Sequence, residues 1–265
     1  MELDDAYANA AYIPGAADYP TRWADQAEAF RTQLSVVGRA RLGLMYGHGT
    51  RQVLDLFLPD GPAAGLMVFV HGGYWLKFDR SYWSHLAQGA LANGWAVAMP
   101  SYDLCPRVRI SDITRQIAQA ITVCAHEIPG PIRLAGHSAG GHLVARMCAP
   151  DVLPEDVAAR LVHVMPISPV SDIAPLMQTS MNADLKIDPT EAKAESPVFQ
   201  PAPEVPVTVW VGARERPVFL DQAEWLAKAW DCAHVVQKGK HHFDVIDGLA
   251  DPNSDMVTRL LGVAE

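Results

Sequence analysis

The sequence predicts an α/β fold in which a mostly parallel central sheet carries helices on both faces. Short apolar runs alternate along the chain with longer segments of helical periodicity, which is typical of parallel strands joined by helical crossovers. Of the 265 residues, 49% are apolar, which is enough to bury both faces of such a sheet. The length suits one large α/β unit, so we expect a single domain over residues 1–265.

The first elements of this alternation are recognisable from periodicity and turn residues. Residues 23–34 have an amphipathic pattern and predict a helix. The run VLDLFL at 53–58 predicts a strand, because the turn sequence PDGP follows it directly. The continuous apolar run LMVFV at 66–70 predicts a strand that is covered on both faces.

Serine residues mark the start of the next two predicted helices. Ser81 is placed to cap a helix that ends near Ala92, where an Asn-Gly pair follows, and an apolar strand comes next at 95–99. Ser111 is placed to cap a second helix, over 111–124, in which isoleucines recur at helical spacing.

The second half of the chain continues the alternation with one interruption. The predicted strands are 132–135, 161–167, 207–211 and 234–237, and the predicted helices are 139–148 and 219–230. Residues 172–204 are rich in Pro, Met and Ala and are too long for an ordinary loop. We interpret this segment as a lid or binding segment, and a helical surface insertion is the alternative.

Composition and charge narrow the class of function. The formal charge is −9 and the basic residues are scattered, so we expect no nucleic-acid partner. No group of His and Cys residues has the spacing of a metal site, and we expect neither a metal nor another cofactor. The chain opens without a signal-like segment and contains no long apolar run, so we expect a cytoplasmic protein without a membrane partner.

The sequence GHSAG at 136–140 is the strongest chemical signal. It follows the predicted strand at 132–135 and opens a predicted helix, which is the context in which a G-x-S-x-G turn presents a nucleophilic serine. Small neighbours leave room for the sharp turn, and the hydroxyl would stand at the positive end of the helix. We therefore predict that Ser138 is the nucleophile of an acyl-transfer reaction.

A second motif, HGGYW at 71–75, follows the strand at 66–70. Acyl transfer places negative charge on the carbonyl oxygen, and preorganised backbone N–H groups stabilise that charge. We assign this oxyanion hole to the N–H groups of Gly72, Gly73 and Ala139. We expect His71 to bond to nearby backbone rather than to carry a proton.

The base is expected close to the C-terminus, where the sequence GKHHFD follows the last predicted strand. We favour His242, because an aromatic residue follows it and commonly begins the next helix. His241 is the alternative.

The acid is expected in a turn after one of the later strands. The strand at 207–211 runs into a turn that contains Glu215, which is our assignment. Asp172 follows the preceding strand and is the alternative acid, although a turn cap is the simpler role for it. Asp221 lies further into the predicted helix that follows.

With these motifs in place, the chain resembles the kynurenine formamidase (arylformamidase) branch of the α/β-hydrolases, which is close to the hormone-sensitive-lipase-like esterases. The resemblance includes HGGYW, GHSAG, HHFD, the stretch SYDLCP and the Ser-Pro pair that closes the interrupting segment. It implies an α/β-hydrolase fold, Ser138 as nucleophile, His242 as base, and Gly72 and Gly73 as oxyanion donors. The acid of that branch is usually an aspartate, whereas this chain has Glu215.

The substrate is expected to be a small ester or amide. Aromatic residues cluster after the oxyanion motif and either wall an acyl or aryl pocket or pack in the core; they are Tyr74, Trp75, Phe78, Tyr82 and Trp83. We assign substrate contact to Tyr74 and Trp75. The leading hypothesis is an arylformamidase-like serine hydrolase without a cofactor. A general carboxylesterase or thioesterase, and a hydrolase-fold protein that binds a small ligand without turnover, are the alternatives.

Overall fold

A computed structural model describes residues 2–150 and 152–262, and its centre is an eight-stranded sheet. The strands are β1 Ala40–Met45, β2 Val53–Phe57, β3 Leu66–Val70, β4 Ala96–Pro100, β5 Ile132–His137, β6 Leu161–Ile167, β7 Thr208–Gly212 and β8 Ala233–Gln237. Their order across the sheet is β1-β2-β4-β3-β5-β6-β7-β8. Strands β3 to β8 are parallel to one another, whereas β2 pairs antiparallel with both β1 and β4.

Helices cover both faces of this sheet. They are α1 Glu2–Ala6, α2 Tyr19–Val36, α3 Gln88–Ala92, α4 Ile110–Glu127, α5 Ala139–Arg146, α6 Glu155–Ala158, α7 Asn182–Leu185, α8 Pro189–Glu195, α9 Pro217–Trp230 and α10 Asp255–Leu261. None of those within the described ranges is both long and apolar enough to cross a bilayer. The predicted α/β architecture is confirmed.

The alternating side chains of the strands divide the core into two halves. On β3, Leu66, Val68 and Val70 belong to the cluster that also contains the apolar faces of α4, α5 and α9. Met67 and Phe69 belong to the opposite cluster, with residues of α2, α3 and α10. A strand covered on both faces needs apolar residues at every position, which explains the unbroken run LMVFV.

Several elements differ from the sequence prediction, and three of them are instructive. Strand β1 was missed because it is an exposed edge strand that pairs only with β2, so its residues lack an apolar pattern. The predicted helix at 81–92 is divided into two short 3₁₀ turns followed by α3. The side chain that caps the first turn is that of Asp79, which accepts from the N–H of Ser81, and not that of Ser81. Helix α10 was missed because it is only 7 residues long.

The parallel arrangement determines where a site can form. The carboxyl ends of β3, β5, β6, β7 and β8 meet at one edge of the sheet, and each is followed by a turn that carries polar residues. Such an edge is where open α/β sheets bind ligands. All of the predicted catalytic residues lie in these turns.

Candidate active site

Ser138 lies in a sharp turn between β5 and α5. Its backbone has φ 57° and ψ −116°, a region that non-glycine residues rarely adopt. The turn is tight enough that a Cβ on Gly140 would lie 2.0 Å from the carbonyl oxygen of Val70. Only glycine fits at that position, which brings the first turn of α5 directly onto the end of β3. The motif therefore has the geometry expected of a nucleophile elbow.

The loop that follows β3 lies against this turn. Val70 is paired with Gly136 in the sheet, so the two strands deliver their next residues to the same place. A Cβ on Gly72 would lie 2.7 Å from the carbonyl oxygen of His137 and 3.0 Å from Cβ of Ser138, so glycine is required for this approach. Among the described residues, the N–H groups of Gly72, Gly73 and Ala139 form no hydrogen bond.

Two stacked side chains hold the peptides of this loop. The hydroxyl of Tyr102 donates to the carbonyl oxygen of His71 at 2.8 Å, and Nδ1 of His71 lies 2.8 Å from the carbonyl oxygen of Gly72, to which it donates. The two rings are parallel, with centroids 4.3 Å apart. Burial lowers the pKa of His71 to about 4, so its ring is neutral near pH 7. His71 therefore bonds to nearby backbone, as the sequence predicted.

These two hydrogen bonds also orient the free N–H groups. In a trans peptide the C=O and N–H bonds point in opposite directions from one rigid plane. The carbonyl of His71 shares its plane with the N–H of Gly72, and the carbonyl of Gly72 shares its plane with the N–H of Gly73. Fixing the two carbonyls therefore fixes the direction of the two N–H groups.

Glu215 and His242 form a buried pair at the ends of β7 and β8. Nδ1 of His242 lies 2.5 Å from Oε2 of Glu215, and both side chains are almost completely buried. The other carboxylate oxygen of Glu215 accepts from the hydroxyl of Ser168 at 2.5 Å and from the N–H of Gly212 at 2.8 Å. The carboxylate therefore has three donors and one fixed orientation.

Ser168 was missed in the sequence analysis. It follows β6 with φ 47°, and its N–H donates to the carbonyl oxygen of Trp210 at 2.6 Å. The signal available in the sequence was weak, because a serine after a strand is common in turns. Only the pairing of β6 with β7 brings its hydroxyl to Glu215.

His241, the alternative base, and Asp172, the alternative acid, both form hydrogen bonds with other groups. Nδ1 of His241 lies 3.1 Å from the backbone nitrogen of Phe243 and 3.2 Å from a carboxylate oxygen of Asp244, and its Nε2 lies 3.1 Å from the hydroxyl oxygen of Tyr19. Asp172 accepts from the N–H of Ala174 at 2.9 Å, which is the turn cap proposed as its simpler role. In the part of the chain that the structure describes, neither side chain forms a hydrogen bond or ion pair with His242 or Glu215.

Ser138 and His242 line the same cavity, whose volume is about 580 Å³. This volume suits a small molecule. The wall is mostly apolar and includes the rings of Trp23, Phe78 and Trp83, and the ring centroids of Trp23 and Trp83 are 4.7 Å apart. The ring of His137 packs at a tilt against the ring of His242, with centroids 4.7 Å apart.

The structure corrects the assignment of Trp75 as a substrate contact. Its side chain is fully buried and packs edge-on against His142 at a centroid distance of 5.0 Å, on the core side of the loop. Tyr74, by contrast, lines the cavity. Both residues have positive φ, 54° and 57°, and their side chains lie on opposite sides of the loop, that of Tyr74 at the cavity and that of Trp75 in the core.

The cover of the cavity comes mainly from residues 7–23, which we call the N-terminal cover. Tyr7 is its anchor: its carbonyl oxygen accepts from the hydroxyl of Tyr74 at 2.7 Å, and its own hydroxyl accepts from Nε2 of Gln222 at 2.9 Å. From the segment 172–204, which we had interpreted as a lid, Met181 lines the cavity. The rest of that segment forms short helices, including α7 and α8.

Comparison with known proteins finds relatives that are similar in sequence and solved structures that have a similar fold. Kynurenine formamidase from Danio rerio is 28% identical over 91% of this chain and 92% of its own length. Kynurenine formamidase from Drosophila melanogaster is 28% identical over 82% of this chain and 79% of its own length. A carbohydrate esterase from gut microbiota matches at 17% identity with a TM-score of 0.67, over 84% of this chain and 95% of its own, and shows the shared fold.

A more similar solved structure is that of a protein provisionally named a thioesterase, from Silicibacter sp. TM1040. It is 64% identical with a TM-score of 0.97, and the match covers 98% of this chain and 99% of that protein. The sequence model of the alpha/beta hydrolase family matches residues 67–260, which contain β3 to β8 and the turns described above. The chain therefore belongs to the alpha/beta hydrolase family.

Proposed function

We propose that this protein is a serine hydrolase that cleaves the formamide bond of N-formyl aryl amines such as N-formylkynurenine. One observation carries the proposal: the strained Ser138 and the paired His242 line a single apolar cavity, beside N–H groups that have no partner among the described residues. This set supplies a nucleophile, a base and donors for an oxyanion.

The first half of the reaction forms a formyl-enzyme. His242 takes the proton of the Ser138 hydroxyl as the oxygen attacks the formyl carbon, and the carbonyl oxygen becomes an oxyanion held by the N–H groups of Gly72, Gly73 and Ala139. His242 then gives this proton to the nitrogen as the C–N bond breaks. Glu215 holds the ring with Nδ1 protonated, which leaves Nε2 free to accept.

The second half releases formate. After the aryl amine leaves, a water molecule attacks the formyl carbon and His242 takes its proton. The bond between the formyl carbon and the Ser138 oxygen then breaks, and His242 returns the proton to that oxygen. The enzyme is regenerated without a change of oxidation state, and water is the only reactant besides the formamide.

Two features favour an aryl formamide. The cavity is walled by aromatic rings, which suit a flat aryl group. The backbone at Gly72 comes so near Ser138 that an added Cβ would lie 3.0 Å from the Cβ of Ser138, and a formyl group needs less space beside this loop than a longer acyl chain does. The relatives named kynurenine formamidase match over most of this chain and support the same assignment.

The substrate assignment predicts a steep dependence on acyl length. We expect kcat/KM for N-formylkynurenine to exceed that for phenyl butyrate by at least about tenfold, since even one methylene in a fitted pocket changes the free energy of binding by 1–3 kcal/mol. The measurement compares N-formylkynurenine, phenyl acetate and phenyl butyrate under identical conditions. Turnover of butyrate or longer esters without turnover of the formamide would refute the proposal.

A short-chain thioesterase is the second candidate, because the 64% identical protein is provisionally named a thioesterase. The same serine chemistry cleaves a thioester, whose thiolate needs less protonation on leaving than an amine does. Acetyl-coenzyme A and an acetyl thioester of a small aryl thiol, added to the comparison above, separate the candidates. A thioesterase would hydrolyse them more efficiently than the formamide.

The carboxylate network predicts a strong effect of Glu215→Gln. The amide oxygen is expected to keep the donors Ser168 and Gly212, which turns the NH₂ group toward Nδ1 of His242. Nδ1 must then accept, so the proton moves to Nε2 and the ring can no longer take the serine proton. We expect kcat to fall about 10³- to 10⁴-fold with the fold retained. Asp172→Asn is the control, and a larger loss in that variant would place the acid after β6 instead.

The Tyr102–His71 stack predicts a loss in kcat for Tyr102→Phe. Removing the hydroxyl frees the carbonyl of His71, so the N–H of Gly72 is held less firmly, and we expect kcat to fall about tenfold while KM changes little. Tyr46→Phe is the matched control, because its buried hydroxyl also donates to a backbone carbonyl oxygen, that of Ser101 at 2.6 Å, which does not belong to the oxyanion loop. Equal losses of kcat in both variants would show that Tyr102 acts only through stability.

A further inference from the structure

A second, smaller cavity of about 200 Å³ adjoins the catalytic cavity. Asn9 and His242 line both of them, so the two spaces meet at the catalytic histidine. The outer wall of the smaller cavity is formed by Arg214 and Arg216, on either side of Glu215. A ligand that reacts at Ser138 has a polar space beside it.

The arginines give this space a positive charge. The guanidinium of Arg216 donates to a carboxylate oxygen of Asp5 at 2.8 Å and lies 3.6 Å from the ring centroid of Tyr12, while its Nε is buried without a partner. The backbone N–H of Arg214 donates to the carbonyl oxygen of Lys240 at 2.8 Å, and its exposed side chain forms no ion pair within the described residues.

The carboxylates near the smaller cavity neutralise only part of the positive charge of Arg214 and Arg216. Glu215 directs both oxygens away, to His242, Ser168 and Gly212. Asp5 pairs with Arg216 and also accepts from the hydroxyl of Tyr12 at 2.5 Å. The charge of Arg214 therefore remains available to a ligand, in a protein whose formal charge is −9.

Asn9 supplies a second, independent indication of a ligand. Its side chain is more than nine-tenths buried, and Nδ2 lies 3.5 Å from the hydroxyl oxygen of Tyr74. Tyr74 donates its only proton to the carbonyl oxygen of Tyr7, so it cannot also donate to Asn9. Oδ1 of Asn9 is consequently left without a donor. A buried acceptor without a partner is unfavourable, and an N–H group of a ligand would satisfy it.

We infer that the smaller cavity binds the zwitterionic head group of an amino-acid substrate, with its carboxylate on Arg214 and Arg216 and its ammonium group on Oδ1 of Asn9. The inference rests on the proposed function, because N-formylkynurenine carries an α-amino-carboxylate on a side chain of the same ring as the formamide. The formamide would occupy the apolar cavity at Ser138 while the head group occupies the polar one. The substrate class is thus an N-formyl aryl amine that bears an amino-acid side chain.

The test uses three substrates and two matched variants. The substrates are N-formylkynurenine, N-formylkynuramine, which lacks the carboxylate, and formanilide, which lacks the whole head group. Arg214→Gln removes the unpaired charge, and Arg259→Gln is the control, an exposed arginine on α10. We expect Arg214→Gln to lower kcat/KM for N-formylkynurenine about tenfold, mainly through KM, and to change the values for the other two substrates by less than about twofold.

Further outcomes decide the inference. Arg214→Lys should recover part of the lost kcat/KM, and the preference for N-formylkynurenine over formanilide should decrease as salt is raised. An equal loss on all three substrates, or no loss on N-formylkynurenine, would overturn the inference and leave the formamidase assignment intact. If the unaltered enzyme hydrolyses esters but none of the three formamides, the proposed function fails and this inference fails with it.

Discussion

Ser138→Ala is expected to lower the rate of N-formylkynurenine hydrolysis by about 10⁶-fold, the scale of loss seen when a serine nucleophile of this kind is removed. The physical reason is that the remaining groups have no atom with which to form the formyl-enzyme. The oxyanion donors and the cavity are unchanged, so a small residual rate above that of water should persist. The measurement is kcat for the purified variant at saturating substrate.

The serine variant is also expected to fold normally. Alanine is smaller than serine, and the backbone at φ 57° is held by the donation of the Ser138 N–H to the carbonyl oxygen of Ile167 at 2.8 Å. Ser35→Ala, on the exposed surface of α2, is the control for purification and assay. A Ser138→Ala enzyme that retains more than a few per cent of the rate would show that another group attacks the substrate.

His242→Ala is expected to have an effect of similar size, about 10⁶-fold, because serine and histidine act as a unit. Without the imidazole, the hydroxyl of Ser138 keeps its proton and is a poor nucleophile, and the leaving amine receives no proton. His241→Ala is the matched control, because its ring bonds to Tyr19 and to the Phe243 backbone on the side of the N-terminal cover. We expect this control to retain substantial activity.

The histidine variants also need a check of folding. The ring of His242 packs against Phe219 at a centroid distance of 4.3 Å, so its removal leaves a small void. His242→Gln fills most of that space and should be as inactive as His242→Ala while melting closer to the unaltered protein. If His241→Ala were the inactive variant, the base would be the preceding histidine.

The strands β3 and β5, which precede the oxyanion loop and Ser138, were predictable because buried strands consist of short continuous runs of apolar residues. Strands β3 and β5 lie in the middle of the sheet, and each ends in a glycine motif whose spacing follows from a close backbone approach. The residues at the ends of β7 and β8 were predictable for a different reason, because parallel strands end at one edge of the sheet; β8 itself is a largely exposed edge strand. Ser138, His242 and Glu215 therefore lie where the sequence placed them.

The missed residues depend on contacts between distant parts of the chain. Ser168 meets Glu215 only because β6 pairs with β7, and nothing in its local sequence distinguishes it from other turn serines. The N-terminal cover is rich in alanine and lacks a clear periodicity, and its position depends on Tyr7 meeting Tyr74 and Gln222. Long-range pairings of this kind leave no periodic signal.

Trp75 illustrates a different limit. Sequence proximity to the oxyanion glycines suggested that its ring faces the substrate, as that of Tyr74 does. In the structure the two neighbouring rings separate, that of Tyr74 to the cavity and that of Trp75 to the core. The contacts of Trp75 come from distant parts of the chain, because its ring packs against His142 and its carbonyl oxygen accepts from the N–H of Cys105 at 2.9 Å, and the local sequence does not reveal them.

The assignment of Ser138 as the activated nucleophile is tested by labelling the enzyme with a fluorophosphonate and locating the modified residue by peptide mass spectrometry. An activated serine reacts with this reagent, whereas ordinary serines do not. We expect one label per chain, on Ser138, with loss of N-formylkynurenine hydrolysis in proportion to labelling, and much slower labelling in Glu215→Gln and His242→Ala. Full hydrolysis by enzyme whose Ser138 is completely modified, or a label that forms on another serine and abolishes activity, would contradict this assignment.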